Sequence, residues 1–180
     1  PPILAVAAAL TLWLIAVYNG LIRLRNMKEE AWSGIDVQLK RRSDLIPNLL
    51  ESVKGYMGHE RSVLEQVTSL RAQSMNAATV GAKIAAESAL SRSLGALFAV
   101  AENYPDLKAS QNFLDLQNQL EGTENRIGVA RVRYNKAVQD FNTTSRSFPN
   151  SLTNSLLLHL SRKEPFRADE GARTAPKVQF

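Results

Sequence analysis

The chain of 180 residues has no cysteine. That absence closes three routes at once: a disulfide framework, a thiolate metal site and a cysteine nucleophile. Histidine is nearly as scarce, with only His59 and His159. His59-Glu60 opens like a zinc-protease helix, but the position four residues on is Val63, where a second ligand would be needed. Neither GxGxxG nor GxxxxGK[ST] is present, so no glycine-rich loop is available to cradle phosphate. Ser33 stands in Trp32-Ser33-Gly34, which is not a nucleophile elbow. Carboxylates are plentiful, among them Glu29, Glu30, Glu51, Glu60, Glu65, Asp115, Glu121 and Glu124. They form no Glu-x-x-His pair of the di-iron kind and read as solvated helix faces. No catalytic residue, cofactor or metal ligand is expected. Long period-two alternation is also missing, which leaves no strand to propose.

What the chain does have is a long apolar start. Ile3 to Val17 contains no charge and a single hydroxyl, Thr11. Carried on to Ile22, it gives about twenty residues, enough to cross a ~30 Å hydrocarbon core as a helix. Ile3, Leu4, Val6, Leu10, Leu12, Trp13, Leu14, Ile15 and Val17 are the expected membrane-spanning residues, and the rings of Trp13 and Tyr18 suit an interface. A cleaved signal peptide would have a shorter apolar run and a clean small-x-small site. A buried core helix would need a partner hiding every face. The expectation is therefore a membrane anchor over residues 1–22. Arg23, Arg25, Lys28, Lys40, Arg41 and Arg42 all follow the span, so the positive-inside rule leans the soluble part towards the cytoplasm, with the other side left open.

From residue 23 to 148 the pattern is helical throughout. Phe113, Leu120, Ile127, Tyr134, Phe141 and Phe148 recur every seven residues, with Leu116, Thr123, Ala130, Ala137 and Thr144 at the second seam position. A second stripe runs Leu49, Tyr56, Val63, Leu70, and a third includes Leu90, Leu94 and Leu97. Leu21, Leu24, Ala31, Ile35 and Leu39 continue from the anchor. Ser43 or Asp44 could cap a helix with Pro47 in its first turn. Gly55 and Gly58 mark a place where that helix could bend or break. With joints at 41–44, 76–80 and 103–109, the expected fold is all-α: an N-terminal transmembrane helix continuing into an antiparallel up-down four-helix bundle. Residues 149–180 read as a short apolar segment and an extended tail. Leu152, Leu156, Leu157, Leu158 and Leu160 form the expected docking patch.

Several motifs are specific enough to resemble a known family. Tyr18-Asn19, Leu24-Arg25-Asn26, Ala31-Trp32-Ser33, Ile35 to Arg42, Asp44-Leu45-Ile46-Pro47-Asn48-Leu49 and Val53-Lys54-Gly55-Tyr56 are similar to the LemA family. Ala101 to Lys108, Phe113 to Leu120, Thr123 to Ile127, Tyr134-Asn135, Phe148-Pro149 and Ala175 to Phe180 continue the likeness. The resemblance implies a bacterial-type membrane protein with an N-terminal helix and a helical bundle, in a family with no established enzymatic activity. It also implies a role in membrane organisation or recruitment, since one relative takes part in forming magnetosome membranes.

Lys40-Arg41-Arg42 reads as a helix C-terminal cap rather than a lipid patch. Arg126, Arg131 and Arg133, beside Asn125 and Asn135, bracket the seam and could set register or meet a partner helix. The basic residues make no concentrated face with interleaved aromatics, so nucleic acid is not an expected partner. The expected partners are the bilayer, other membrane-associated proteins and a second copy of the chain. The functional expectation is a non-enzymatic, membrane-anchored scaffold or recruitment subunit. The alternatives are a lipid- or small-ligand-binding bundle and a carboxylate-dependent hydrolase, the latter marked by acids converging in a cavity.

Overall fold

The structure is a computed structural model that describes residues 2–166. The expected extended tail beyond 166, with Ala175 to Phe180, lies outside the described residues. Those residues are almost entirely helical, and none of them forms a strand. The elements are α1 (Pro2–Lys54), α2 (Arg61–Met75), α3 (Val80–Ala101), α4 (Pro105–Lys108), α5 (Gln111–Arg146) and α6 (Asn150–Thr153). A π-helical turn, Asn154–Leu158, follows α6, and residues 159–166 are extended. Two compact units are distinguished: the residues up to Ile35 with Val129–Phe166, and Asp36–Gly128.

The joint expected at 41–44 does not exist. α1 runs through it without interruption and carries Pro47 in its interior. The reason is a single buried stripe, Ile35, Leu39, Arg42, Ile46, Leu49 and Val53, whose alternating steps of four and three match a helix period of 3.6. Tertiary packing of that stripe overrides the cap-like local signal. Ser43 caps nothing: its hydroxyl is buried without a hydrogen-bond partner among the described residues. The break comes instead at 55–60, around Gly55 and Gly58, and Met57 turns inward there to become fully buried.

The next two joints follow ordinary chemistry. Thr79 caps α3, its hydroxyl accepting from the Ala82 N–H at 3.1 Å. Within the expected 103–109 joint, Pro105 starts the one-turn helix α4 at a position where its missing N–H costs nothing. Leu107 on that turn is fully buried.

In the unit Asp36–Gly128 one apolar core draws on α1, α2, α3, α4 and α5. It contains Ile46, Leu49, Val53, Met57, Val67, Leu90, Leu94, Leu97, Ala101, Leu107, Phe113, Leu116 and Leu120. Phe98 and Phe113 meet edge to face at 6.2 Å. In the other unit Trp32 meets Tyr134 edge to face at 5.4 Å, and the Lys28 ammonium lies 5.5 Å from the centre of the Phe141 ring.

Most of the expected seam residues are buried: Leu49, Leu90, Leu94, Leu97, Phe113, Leu120, Ile127, Tyr134 and Phe141, with Val63 and Leu70 partly so. Two are not. Tyr56 is exposed because it falls in the α1–α2 break, and Phe148 is 80% exposed because α5 ends at Arg146. Beyond Tyr134 the buried companions are Val138 and Ser145 instead of Ala137 and Thr144. A helix of 3.6 residues per turn drifts off a strict seven-residue repeat in this way.

Candidate functional site

The first functional surface is the start of α1. From Ile3 to Ala16 every residue is exposed, including Ile3 at 78% and Leu12 at 69%. A helix that is apolar all round and uncovered by protein satisfies its backbone internally, which is what a hydrocarbon environment requires. α3 is also long and apolar enough to cross a membrane, but Leu90, Leu94, Leu97 and Ala101 spend its apolar face on the core.

The second feature is a buried charge network that the sequence did not announce. Arg42 points into the core, with its side chain 1% exposed. Its guanidinium donates to the carboxylates of Glu87 and Glu124, to the Ser91 hydroxyl at 2.6 Å and to the Glu87 carbonyl at 3.2 Å. Ser74 donates to the other oxygen of Glu87. Arg71 reaches back from α2 to the Ser43 carbonyl at 2.7 Å, and Lys83 pairs with Asp36. Arg42 is therefore not a helix-terminal cap as expected: the helix does not end there, and the residue sits on its buried stripe. The signal for Glu87 was present as the one acid in register with the apolar stripe of α3.

Beside this network lies a cavity of about 400 Å³, lined by Arg42, Ser91, Phe98, Gln117, Glu121 and Glu124 among others. Two acids thus share a cavity, the marker set for a hydrolase. Glu124, however, is engaged by Arg42, and neither histidine is among the lining residues. Among the described residues no group of three or more His, Asp or Glu side chains is placed to hold a metal ion.

The third feature is at the C-terminal end of α5. Asn135 and Asn142 stand seven residues apart, about 10.5 Å along a helix. Each uses both ends of its amide on an extended backbone. Asn142 donates to the Lys163 carbonyl at 2.8 Å and accepts from the Lys163 N–H at 3.0 Å. Asn135 does the same with Phe166, at 2.7 Å and 2.6 Å. Three extended residues span about 10 Å, so one turn-pair of helix matches the step from 163 to 166. Arg131 lies 4.2 Å from the centre of the Phe166 ring, which engages it inside the chain. Asn154 closes the connecting turn on Leu160 in the same reciprocal manner, and His159 takes a left-handed conformation with φ 48°. Sequence reading singled out Asn135 for register; the repeat at Asn142 was the overlooked clue to its role as a clamp.

The expected docking patch lies on this connection. Leu152, Leu156 and Leu157 are exposed, at 50%, 71% and 59%, while Leu158 and Leu160 are half-buried.

The model of the LemA family matches residues 31–180. A protein named LemA from Metamycoplasma hominis is 29% identical over 72% of this chain and 60% of its own length. Magnetosome protein MamQ from Magnetospirillum gryphiswaldense is 21% identical over 82% of this chain and 63% of its own. Magnetosome protein MamQ 2 from Paramagnetospirillum magneticum is 22% identical over 76% and 60% respectively. The chain spans about three-fifths of the length of these relatives.

Proposed function

The chain belongs to the LemA family, and from that premise we propose that it is a non-enzymatic scaffold or recruitment subunit held at a membrane by one helix. The observation that carries this reading is the uncovered apolar start of α1, continuous with a helix whose later stripe anchors a packed core. A single pass through the bilayer, an antiparallel four-helix bundle and a cytoplasmic bundle domain belong to the same reading. The core that draws on α1, α2, α3 and α5 supports the bundle, and the basic residues after the span support the cytoplasmic side. Relatives named as magnetosome proteins support work at a membrane-bounded assembly.

The charge network fits structure better than catalysis. Its carboxylates accept from one guanidinium and two serines, Ser74 at Glu87 and Ser91 at Glu124, which makes them acceptors in a network instead of groups free to exchange protons with a substrate. Crosslinking in native membranes tests the proposal: adducts containing other membrane-associated proteins or further copies of the chain are expected. Recovery of monomer alone at native abundance would contradict it. A small-ligand-binding bundle is the second reading, favoured by the cavity beside Arg42.

A further inference from the structure

The chain reverses direction after α5. Asn142 holds Lys163 and Asn135 holds Phe166, so the extended segment runs back along the helix it has just left. The tip of that reversal carries Phe148, Leu152, Leu156 and Leu157, all exposed. Four large apolar side chains are thus exposed within ten residues, and clustered exposed apolar surface marks a place of interaction.

Two contacts within the same compact unit fix where the tip stands. Trp32 meets Tyr134 and Lys28 meets Phe141, so numbering falls along α1 as it rises along α5: the two helices run antiparallel. Phe141 is level with Lys28, and α5 ends five residues later at Arg146. At 1.5 Å per residue that is about 7.5 Å further, level with the Leu21–Arg25 stretch. Leu21 is fully buried, whereas the residues from Ile3 to Ala16 are exposed. The tip is thus beside the end of the apolar span, where a helix leaving hydrocarbon reaches the headgroups. Three exposed cations stand at that level: Arg146 and Arg162 line one groove of about 640 Å³ with Asn142, Thr143 and Ser147, and Arg23 is on α1, while Arg25 is paired with Glu29.

Resting on the reading of α1 as the anchor, we infer that the 148–158 tip is a second membrane contact. It is an interfacial foot that inserts Phe148, Leu152, Leu156 and Leu157 into the leaflet through which α1 emerges. Arg146 and Arg162 meet the headgroup phosphates. Apolar side chains below and guanidinium groups at the boundary are the arrangement of an in-plane membrane element. The occupant is lipid and not a protein groove, because the patch stands level with the end of the anchor and beside cations that an anionic surface attracts.

The absence of cysteine makes the test direct, since one introduced thiol is the only one to label. Full chains carrying Leu12→Cys, Leu156→Cys or Val132→Cys would be labelled with a polarity-sensitive fluorophore and reconstituted in vesicles containing phosphatidylglycerol. Nitroxide lipids would then quench probes that reach the acyl region. Val132 is the aqueous control, exposed and about 20 Å back along α5 from Arg146. The expected result is several-fold stronger quenching at positions 12 and 156 than at 132, with 156 quenched best by a shallow nitroxide. Quenching at 12 with 156 as unquenched as 132 would overturn the foot and leave the anchor intact. No quenching at 12 would overturn the anchor itself, whatever position 156 reports. Replacing Arg146 and Arg162 by Gln is expected to abolish any preference of the 156 probe for anionic over neutral vesicles. An unchanged preference would overturn the role given to the two arginines, and inorganic phosphate is expected not to compete.

Discussion

Arg42 of α1 and Glu87 of α3 form an ion pair in which each side chain is only 1% exposed. A charge so fully removed from water is tolerable only while its partner is present, because the desolvation cost of each ion is offset by the other. Arg42→Met should therefore strand Glu87 and cost about 3–5 kcal/mol of folding stability. Combining it with Glu87→Leu should restore much of that loss, since an apolar pair of similar volume removes both charges. Denaturant unfolding in detergent, followed by far-UV circular dichroism, measures both. A single-variant loss below about 1 kcal/mol would match a solvated pair and contradict the burial.

Asn142→Ala should act locally. It removes the reciprocal amide contacts to Lys163, each worth about 1 kcal/mol, without touching the apolar core. Trypsin cleavage after Arg162 and Lys163 should accelerate, while global stability falls by no more than these two contacts supply. Unchanged cleavage would show that the extended segment is held by something other than the asparagine pair.

The α1–α2 break depends on Met57 more than on its glycines. Met57 is fully buried in the core, and Met57→Ala should cost about 2–5 kcal/mol as a large-to-small core change. No described glycine has a positive φ, and a Cβ at Gly55 would meet nothing within 4 Å. Gly55→Ala should accordingly be neutral or stabilising, by up to about 1 kcal/mol through the unfolded chain. Strong destabilisation by Gly55→Ala, read from the same unfolding curves, would refute this division of roles.

Much of this was legible in sequence. The apolar start and the heptad stripe of α5 rest on composition and period, which local residues determine. The joint at 41–44 misled because Ser43, Asp44 and Pro47 imitate a helix start, while the stripe from Ile35 to Val53 that overrules them is a tertiary fact. Arg42 was legible as a charge but not as a buried one, for its partners lie 45 and 82 residues away. Asn135 and Asn142 are helix-surface polar residues until the chain is seen to return.

Burial raises the phenol pKa of Tyr134 above its ordinary value of 10.0. The folded state then holds this proton more tightly than the unfolded one. Its stabilising contribution is full below about pH 10 and is lost as pH rises through the raised value. Lys28 has the opposite sign. Burial lowers its pKa, opposed by Glu29 and aided by Lys163 and Arg25. The folded state releases that proton early, so stability recovers as pH rises from the lowered value towards the ordinary 10.5. Tyr134→Phe should therefore flatten the alkaline decline in unfolding midpoint, and Lys28→Met should steepen it. The reverse pattern in a pH series of urea titrations would contradict the burial of one or both groups.

The proposed anchoring requires the apolar start of α1 to reside in lipid. Alkaline carbonate washing of membranes from cells expressing the full chain tests this directly, compared with a variant carrying Leu10→Arg and Leu14→Arg. Each arginine costs about 2.5–3.5 kcal/mol at a helix centre in the bilayer. The unaltered chain should stay in the membrane pellet and the double variant should be released. Release of the unaltered chain into the supernatant would contradict a membrane-embedded α1.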